Sequence, residues 1–407
     1  MNHIKTISII FAISLGYASG LEAQSCLTLQ QCIDSAMQNN IRLKASRTAT
    51  ERSKASKASA IDIGNTTISL GQDPTSGGSP DNAVSIGQSF DFPTLYVARA
   101  KQKQNETNIA EHEYMLNQTD VARSICQTYA LMQYLQEKSN ILARHDSLCD
   151  AYVAIATSRQ QAGVTSNLDV LNAKMLKQET AISIAENREK LAAATLQMQQ
   201  YIGSREPIAI NCHEQEIMQT STILSGERQS QLSADKLTAA QKELNISKQG
   251  FLPTFDISLR WQAVLSSYNP YNIDRSKYAD GNFMGFEVGM GFPLIFAANK
   301  SKVKAAKLAV TQQELEMADI GSQAETNHKT ALKSYELAKE RQMLLHDGLT
   351  LADDMERLSL LSYQQGEIGY VEHIANMRSS LDNRLKAAEA IYELNLSEIE
   401  VNYTQTR

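Results

Sequence analysis

AVSIGQSFDF, residues 83–92, and MGFEVGMGF, residues 284–292, are the stretches that set the fold class. In the first, Val84, Ile86, Phe90 and Phe92 alternate with Ser85, Gly87, Ser89 and Asp91. In the second, Met284, Phe286, Val288, Met290 and Phe292 alternate with Gly285, Glu287, Gly289 and Gly291. Period two predicts a strand with one apolar face. Each run closes on Phe-Pro, at 92–93 and 292–293, and gives way to helical text. A proline at the first helical turn is tolerated because its missing N–H has no partner there anyway.

Both strands have a partner run. TTISLGQ, 66–72, precedes the first across the turn-rich loop DPTSGGSPDN. FDISLRWQA, 255–263, precedes the second across a polar loop carrying Tyr268, Tyr271 and Tyr278, candidates for an aromatic girdle. In FDISLRWQA, Phe255, Ile257, Leu259, Trp261 and Ala263 share one face, and Asp256, Ser258, Arg260 and Gln262 the other.

The remaining text is helical. Among 407 residues there are seven prolines, one tryptophan and 6% aromatics, a mix that favours long helices over a compact mixed core. Helices are predicted over 28–59, from Pro93 to Gly163, on to about Ile202, over 226–250, from Pro293 to about Gln365, and on to the C-terminus. Thr28 with Gln31 forms a candidate capping box at the first. The breakers sit in matching text, AGVTSNLDVLNAK at 162–174 and QGEIGYVEHIANM at 365–377. Phe-Pro recurs at a separation of 200 residues, Gly163/Gly366 at 203 and His145-Asp146/His346-Asp347 at 201. This register predicts an internal duplication: 24–205 as one repeat, 206–225 as a linker and 226–407 as a second repeat.

The opening 23 residues read as a secretory signal, with Lys5, an apolar run over Ile7–Leu15 and small residues up to Ala23. Of the cysteines, Cys26 lies just past that signal in AQSC, a poor lipidation box, and Cys126 and Cys149 read as small apolar helix residues. The net charge of −6 is not gathered into a basic patch, which argues against nucleic acid as a partner. HEQE at 213–216 lacks the second histidine of a zinc protease, and no phosphate loop, dinucleotide fingerprint or nucleophile elbow is present. The expectation is a non-enzyme with neither cofactor nor metal. His145 and His346 read as solvated helix positions.

A strand pair whose outer face is apolar and whose inner face carries Asp256, Arg260 and Glu287 predicts a membrane β-barrel around a wet lumen. Four strands cannot close one, since about eight are the minimum, and open edges are not tolerated in lipid. Several chains must therefore contribute: two give a filled eight-stranded barrel, three a twelve-stranded channel. A helix of roughly 70 residues makes a rod of about 100 Å, which extends away from the membrane. The rival reading is a periplasmic helical-hairpin adaptor or structural protein.

Taken in order, LTLQQCIDSAMQNNIRL (27–43), QGFLPTFDISL (249–259), GFPLIFAANKSKVKAA (291–306) and the two breaker segments resemble the TolC-type outer-membrane efflux proteins. The resemblance implies a homotrimer in outer-membrane lipid: a twelve-stranded barrel continued by a helical barrel through the periplasm. It implies two partners, a periplasmic adaptor and an inner-membrane efflux pump, and a cargo of small molecules or heavy-metal cations. It makes the tips adaptor contacts, at Gly163, Val164, Thr165 and Ser166 and at Gly366, Glu367, Ile368 and Gly369. It also makes Glu372, Asp169 and Tyr363 candidates for the channel constriction. Where the family often has a second acidic residue and an arginine, this chain has Ala375 and Ile368, so its closing network must differ.

Overall fold

The computed structural model describes residues 26–74, 80–205, 208–210, 225–263 and 282–405. The signal, Cys212, His213, the loop tyrosines and most of the linker lie outside these residues. Helices α1 (Leu29–Asn39) and α2 (Ile41–Ala55) lead through a short 3-10 turn into β1 (Thr67–Pro74) and β2 (Pro80–Phe90). Helices α3 (Pro93–Gln161) and α4 (Asn167–Ile202) follow, then α5 (Ser225–Gln249), β3 (Thr254–Ala263), β4 (Asn282–Gly291), α6 (Phe296–Gln365) and α7 (Tyr370–Thr404). Each strand pair therefore precedes one long helical hairpin. At ~1.5 Å per residue, α3 and α6 are each about 100 Å long.

Several boundaries differ from the sequence reading, three of them for a visible reason. The first helix is two helices, because Asn40 leaves helical geometry at ψ 126°. Its side chain caps α2 by accepting from Leu43 N at 3.2 Å and donates from Nδ2 to the Tyr201 carbonyl at 2.8 Å. The capping box of Thr28 and Gln31 forms as expected at α1. Strand β2 stops at Phe90, so Phe92 is the residue before the helix and its stacking partner is Phe255. The third difference is at α6, which begins at Phe296 rather than at Pro293. Asn299 Nδ2 donates to the Gly250 carbonyl at 2.6 Å and Phe296 stacks on Phe251, so the end of α5 decides where α6 starts.

The strands form one antiparallel sheet in the order β1-β2-β3-β4. Its register aligns Ile68, Ile86, Leu259 and Phe286 in one row and Leu70, Val84, Trp261 and Met284 in the next. Ser69, Ser85, Arg260 and Gly285 make a row of the opposite face. The hydrogen bond between the Ser69 and Ser85 hydroxyls, 2.7 Å, lies on that polar face.

Two apolar cores lie among the helices. One gathers Cys32, Ala36 and Leu43 against Ile125, Cys126 and Tyr129 of α3, Met198 and Ile202 of α4, and Ile399 of α7. The other lies where the two hairpins turn, around Cys149, Tyr152, Val170, Tyr363 and Met377. Between them α6 packs through small residues at seven-residue steps: Ala331, Ala338, Ala352 and Ser359 are buried, and Leu345 at the skipped step is half-buried. A seven-residue repeat keeps one seam facing a partner along a supercoiled pair, and small side chains let the backbones approach. Elsewhere on α6, Leu308, Leu315, Leu337, Leu344, Leu351 and Leu358 stay exposed.

Helix α4 ends at Gly203 with φ +73°, pressed against the break between α1 and α2: a Cβ there would stand 2.8 Å from the Asn39 carbonyl oxygen. A left-handed conformation strains a residue with a side chain by ~1–2 kcal/mol, and here the clash adds to it. Gly203→Ala is expected to destabilise the first core by about 2–3 kcal/mol, read as a lowered thermal midpoint by circular dichroism.

Candidate functional site: the uncovered sheet face and the paired tips

Two features stand at opposite ends of the long helices. At one end is the sheet. Its apolar face carries Ile68, Leu70, Ile86, Ile257, Leu259, Trp261, Met284 and Phe286, all exposed, with Leu70 and Phe286 each 82% accessible. Among the described residues no helix packs over it. Asp256, Arg260 and Glu287 share the other face and are exposed. Asp256 accepts a hydrogen bond from the Ser89 hydroxyl across the β2–β3 pair. The outer edges of β1 and β4 have no strand beside them among the described residues.

At the other end the two hairpins turn side by side. Gly163, φ +72°, closes α3–α4, with Val164 N donating to the Arg159 carbonyl at 2.9 Å. Ser166 then caps α4 by accepting from Leu168 N. Gly366, φ +81°, closes α6–α7, with Glu367 N donating to the Ser362 carbonyl at 2.9 Å and the Ser362 hydroxyl donating to the Glu367 carboxylate. Gly369 starts α7 in ordinary extended backbone. The turn glycines, Val164, Ser166, Glu367 and Gly369 are exposed; Thr165 and Ile368 are half-buried.

Beneath the turns lies a compact aromatic cluster. Tyr363 of α6 is 1% accessible and makes an edge contact with Tyr152 of α3 at 5.4 Å. The His373 ring of α7 stacks on Tyr363 at 4.7 Å with 2° between the planes, and meets Tyr152 edge-on at 5.2 Å. Arg159 lies over the Tyr363 ring at 4.9 Å and donates to the Tyr363 carbonyl, which ties the first hairpin to the second. Asp169, in the first turn of α4, is buried beside them rather than solvated. Burial raises its pKa, with Arg159 pulling it back. Burial also raises the pKa of Tyr152 and Tyr363, whose hydroxyls are near enough to perturb each other.

The structure thus brings Tyr363 and Asp169 into one cluster, while Glu372 lies outside it, exposed on α7. Tyr152, Arg159 and His373 belong to that cluster and were missed in the sequence. Cys149, Tyr152 and Ala156 do follow a helical stripe, and so do His373, Met377 and Ser380, but a stripe does not say which stripes meet. Of the repeated histidines, His145 is buried and His346 exposed, so the matching text has two different environments. Further along, Arg144 and Arg384 meet Asp353 and Glu356 in an ion network that again joins the first hairpin to the second.

No protein-family model matches the sequence, and no curated protein matches it. Solved structures do match in fold. The outer membrane protein VceC of Vibrio cholerae superposes with a TM-score of 0.76 over 92% of this chain and 96% of its own, at 15% identity. The Campylobacter jejuni CmeC outer membrane channel gives 0.75 over 99% and 93%, at 14% identity. The open state of the Neisseria gonorrhoeae MtrE outer membrane channel gives 0.73 over 92% and 88%, at 14% identity.

The fold is that of the TolC-type outer-membrane channels.

At these identities the likeness is one of backbone, so the TolC-type fold is held by different side chains here. Tyr152 is 0% accessible, and truncating a buried aromatic costs ~3–5 kcal/mol. Its hydroxyl stands to lose only a neutral contact with that of Tyr363, worth little beside the ring. Tyr152→Ala is therefore expected to cost about 3–5 kcal/mol and Tyr152→Phe less than ~1 kcal/mol, measured as thermal midpoints on the purified chain.

Proposed function

We propose that the chain is one subunit of a homotrimeric outer-membrane channel that carries small molecules out of the cell. The observation that carries this reading is the sheet: four strands with an uncovered apolar face and two free edges. Water does not stabilise such a face, and hydrocarbon does. Hydrocarbon in turn does not tolerate the edges, because each unpaired N–H or C=O there costs several kcal/mol. Pairing β1 of one subunit with β4 of the next removes every edge. Three subunits supply twelve strands and leave the Asp256, Arg260 and Glu287 face around water, whereas two would leave a lumen filled by side chains.

The exposed leucines of α6 and their counterparts on α4, Leu168, Leu171 and Leu196, are on this reading the faces that neighbouring subunits bury. The hairpins continue the barrel into the periplasm, and the two sequence halves are copies of one ancestral unit. The channel is a passive conduit with no chemistry of its own. Its tips, Gly163 to Ser166 and Gly366 to Gly369, meet a periplasmic adaptor, which connects it to an inner-membrane efflux pump. Tyr363 and Asp169 hold the tip closed, and three copies of Glu372 line the narrow end. Like charges around an axis attract cations, which favours metal or organic cations as cargo.

Two measurements test this. The purified chain is expected to run as a heat-dissociable trimer and to conduct ions in planar bilayers, with Glu372→Ala lowering cation selectivity. A monomer that never conducts would sink the reading. Phe286 supplies the second. On a soluble protein, replacing so exposed a residue changes stability by less than ~0.5 kcal/mol. On a lipid-facing strand an arginine at mid-membrane costs ~2–4 kcal/mol. Phe286→Arg is expected to deplete the protein from outer-membrane fractions, and an unchanged distribution would contradict a lipid contact.

A further inference from the structure

We propose that His373 is the positioning residue of a proton-released clasp: its uncharged ring holds Tyr363 against Tyr152, and so locks the tip of α6–α7 to the tip of α3–α4, and acid frees it. The inference rests on reading the chain as a gated channel and assigns the gate a trigger of its own.

The geometry sets His373 apart from a surface histidine. Its ring is 1% accessible and contacts both tyrosines at once, one face-on and one edge-on. Nδ1 lies 2.9 Å from the Ser359 hydroxyl, and that hydroxyl accepts from Asn376 Nδ2 at 3.3 Å. The Ser359 hydroxyl keeps its own proton, which the neutral ring can accept at Nδ1. Nε2 is buried and has no acceptor. The Ser359 carbonyl favours a protonated ring, but no carboxylate lies against it to offer an imidazolium a counter-charge.

The surrounding groups do not alter this. Helix α3 presents Tyr152 and the cationic Arg159; α6 presents Ser359 and Tyr363; α7 itself carries Asn376 and the exposed Glu372. Helix α4 presents Asp169, whose electrostatic contacts are with Arg159, Tyr152 and Tyr363 rather than with the imidazole.

The sign of the pH effect follows. Burial pushes the pKa of the clasped ring down to about 4, with a hydrogen bond to the Ser359 backbone pulling weakly the other way. A released ring titrates near ~6.5. The clasp is at full strength above ~6.5 and weakens as pH falls, because only the released form takes up the proton. At pH 5 the balance shifts towards release by roughly 20-fold relative to pH 7. Asp169 acts in the opposite sense: its pKa is raised in the closed cluster, so its protonation favours closure. Both tyrosines titrate far above this range.

Hydrogen–deuterium exchange on the full chain, corrected for the intrinsic rate, tests the clasp without relying on transport. In the wild type, amides of 359–377 and 150–163 are expected to lose protection by about an order of magnitude or more between pH 7 and pH 5. His373→Phe keeps a ring in the stack but cannot titrate, and its tip is expected to hold protection over the same range. His145, also buried and about two turns away on α3, is present in both proteins and cancels. If Phe disturbs the packing at pH 7, His373→Gln takes its place. Equal acid sensitivity in wild type and variant, or none in either, overturns the clasp. Bilayer conductance separates the two readings: acid-raised conductance in the wild type and not in His373→Phe supports both. Exchange that follows His373 in a protein that conducts at no pH keeps the clasp and removes the channel.

Discussion

The unpaired backbone at the edges of a four-stranded sheet is the constraint on which the rest of the molecule depends. A sheet with one apolar face has two ways to become stable: a helix layer can cover it, or lipid can. Here the helices that follow the strands are about 100 Å long, packed on one another through small-residue seams and directed away from the sheet. They leave Leu70, Trp261, Met284 and Phe286 uncovered. Once the face is left to lipid, the edges must be closed by other copies of the same sheet, and the assembly must be a cylinder. Size, symmetry and the polar face around an axis follow from that requirement on our reading.

On the same reading the helices carry that cylinder a long way and end in a separable tip. Along the shaft they are joined by the first core, by small residues and by exposed ion pairs, the last worth little individually. Aromatic rings meet there too, as where Tyr134 of α3 stacks on Tyr392 of α7, but the cluster of three buried rings lies near the turns. Tyr152, Tyr363 and His373 come from three helices and both hairpins, and each depends on the others for its burial. The buried imidazole Nε2 without a hydrogen-bond partner belongs to a site that is stable without being at its optimum.

Much of this was legible residue by residue. Period-two alternation located the strands and their two faces, because side chains on a strand point alternately and nothing tertiary alters that. Proline at 93 and glycine at 163 and 366 marked helix limits for local reasons, a missing N–H and a positive φ. What misled was equally specific. Pro293 looked like Pro93, yet α6 begins three residues later because Asn299 and Phe296 are tied to the end of α5. The break at Asn40 was hidden because its cause, the Tyr201 carbonyl, is 161 residues away. Asp169 stood out in the sequence only by resemblance, and no local pattern shows that it is buried beside Arg159.

The sequence by itself determined the elements and their order: which segments are strand or helix, which faces are apolar, and where the chain reverses. These depend on periodicity and on single-residue backbone preferences, and both are local. Only the tertiary structure decided which stripes meet. It set the β2–β3 pairing that unites the two halves in one sheet and left that sheet uncovered. It also brought a histidine indistinguishable in sequence from any other between two tyrosines. Contacts between residues some 200 positions apart depend on how whole helices pack, and no local pattern encodes that choice.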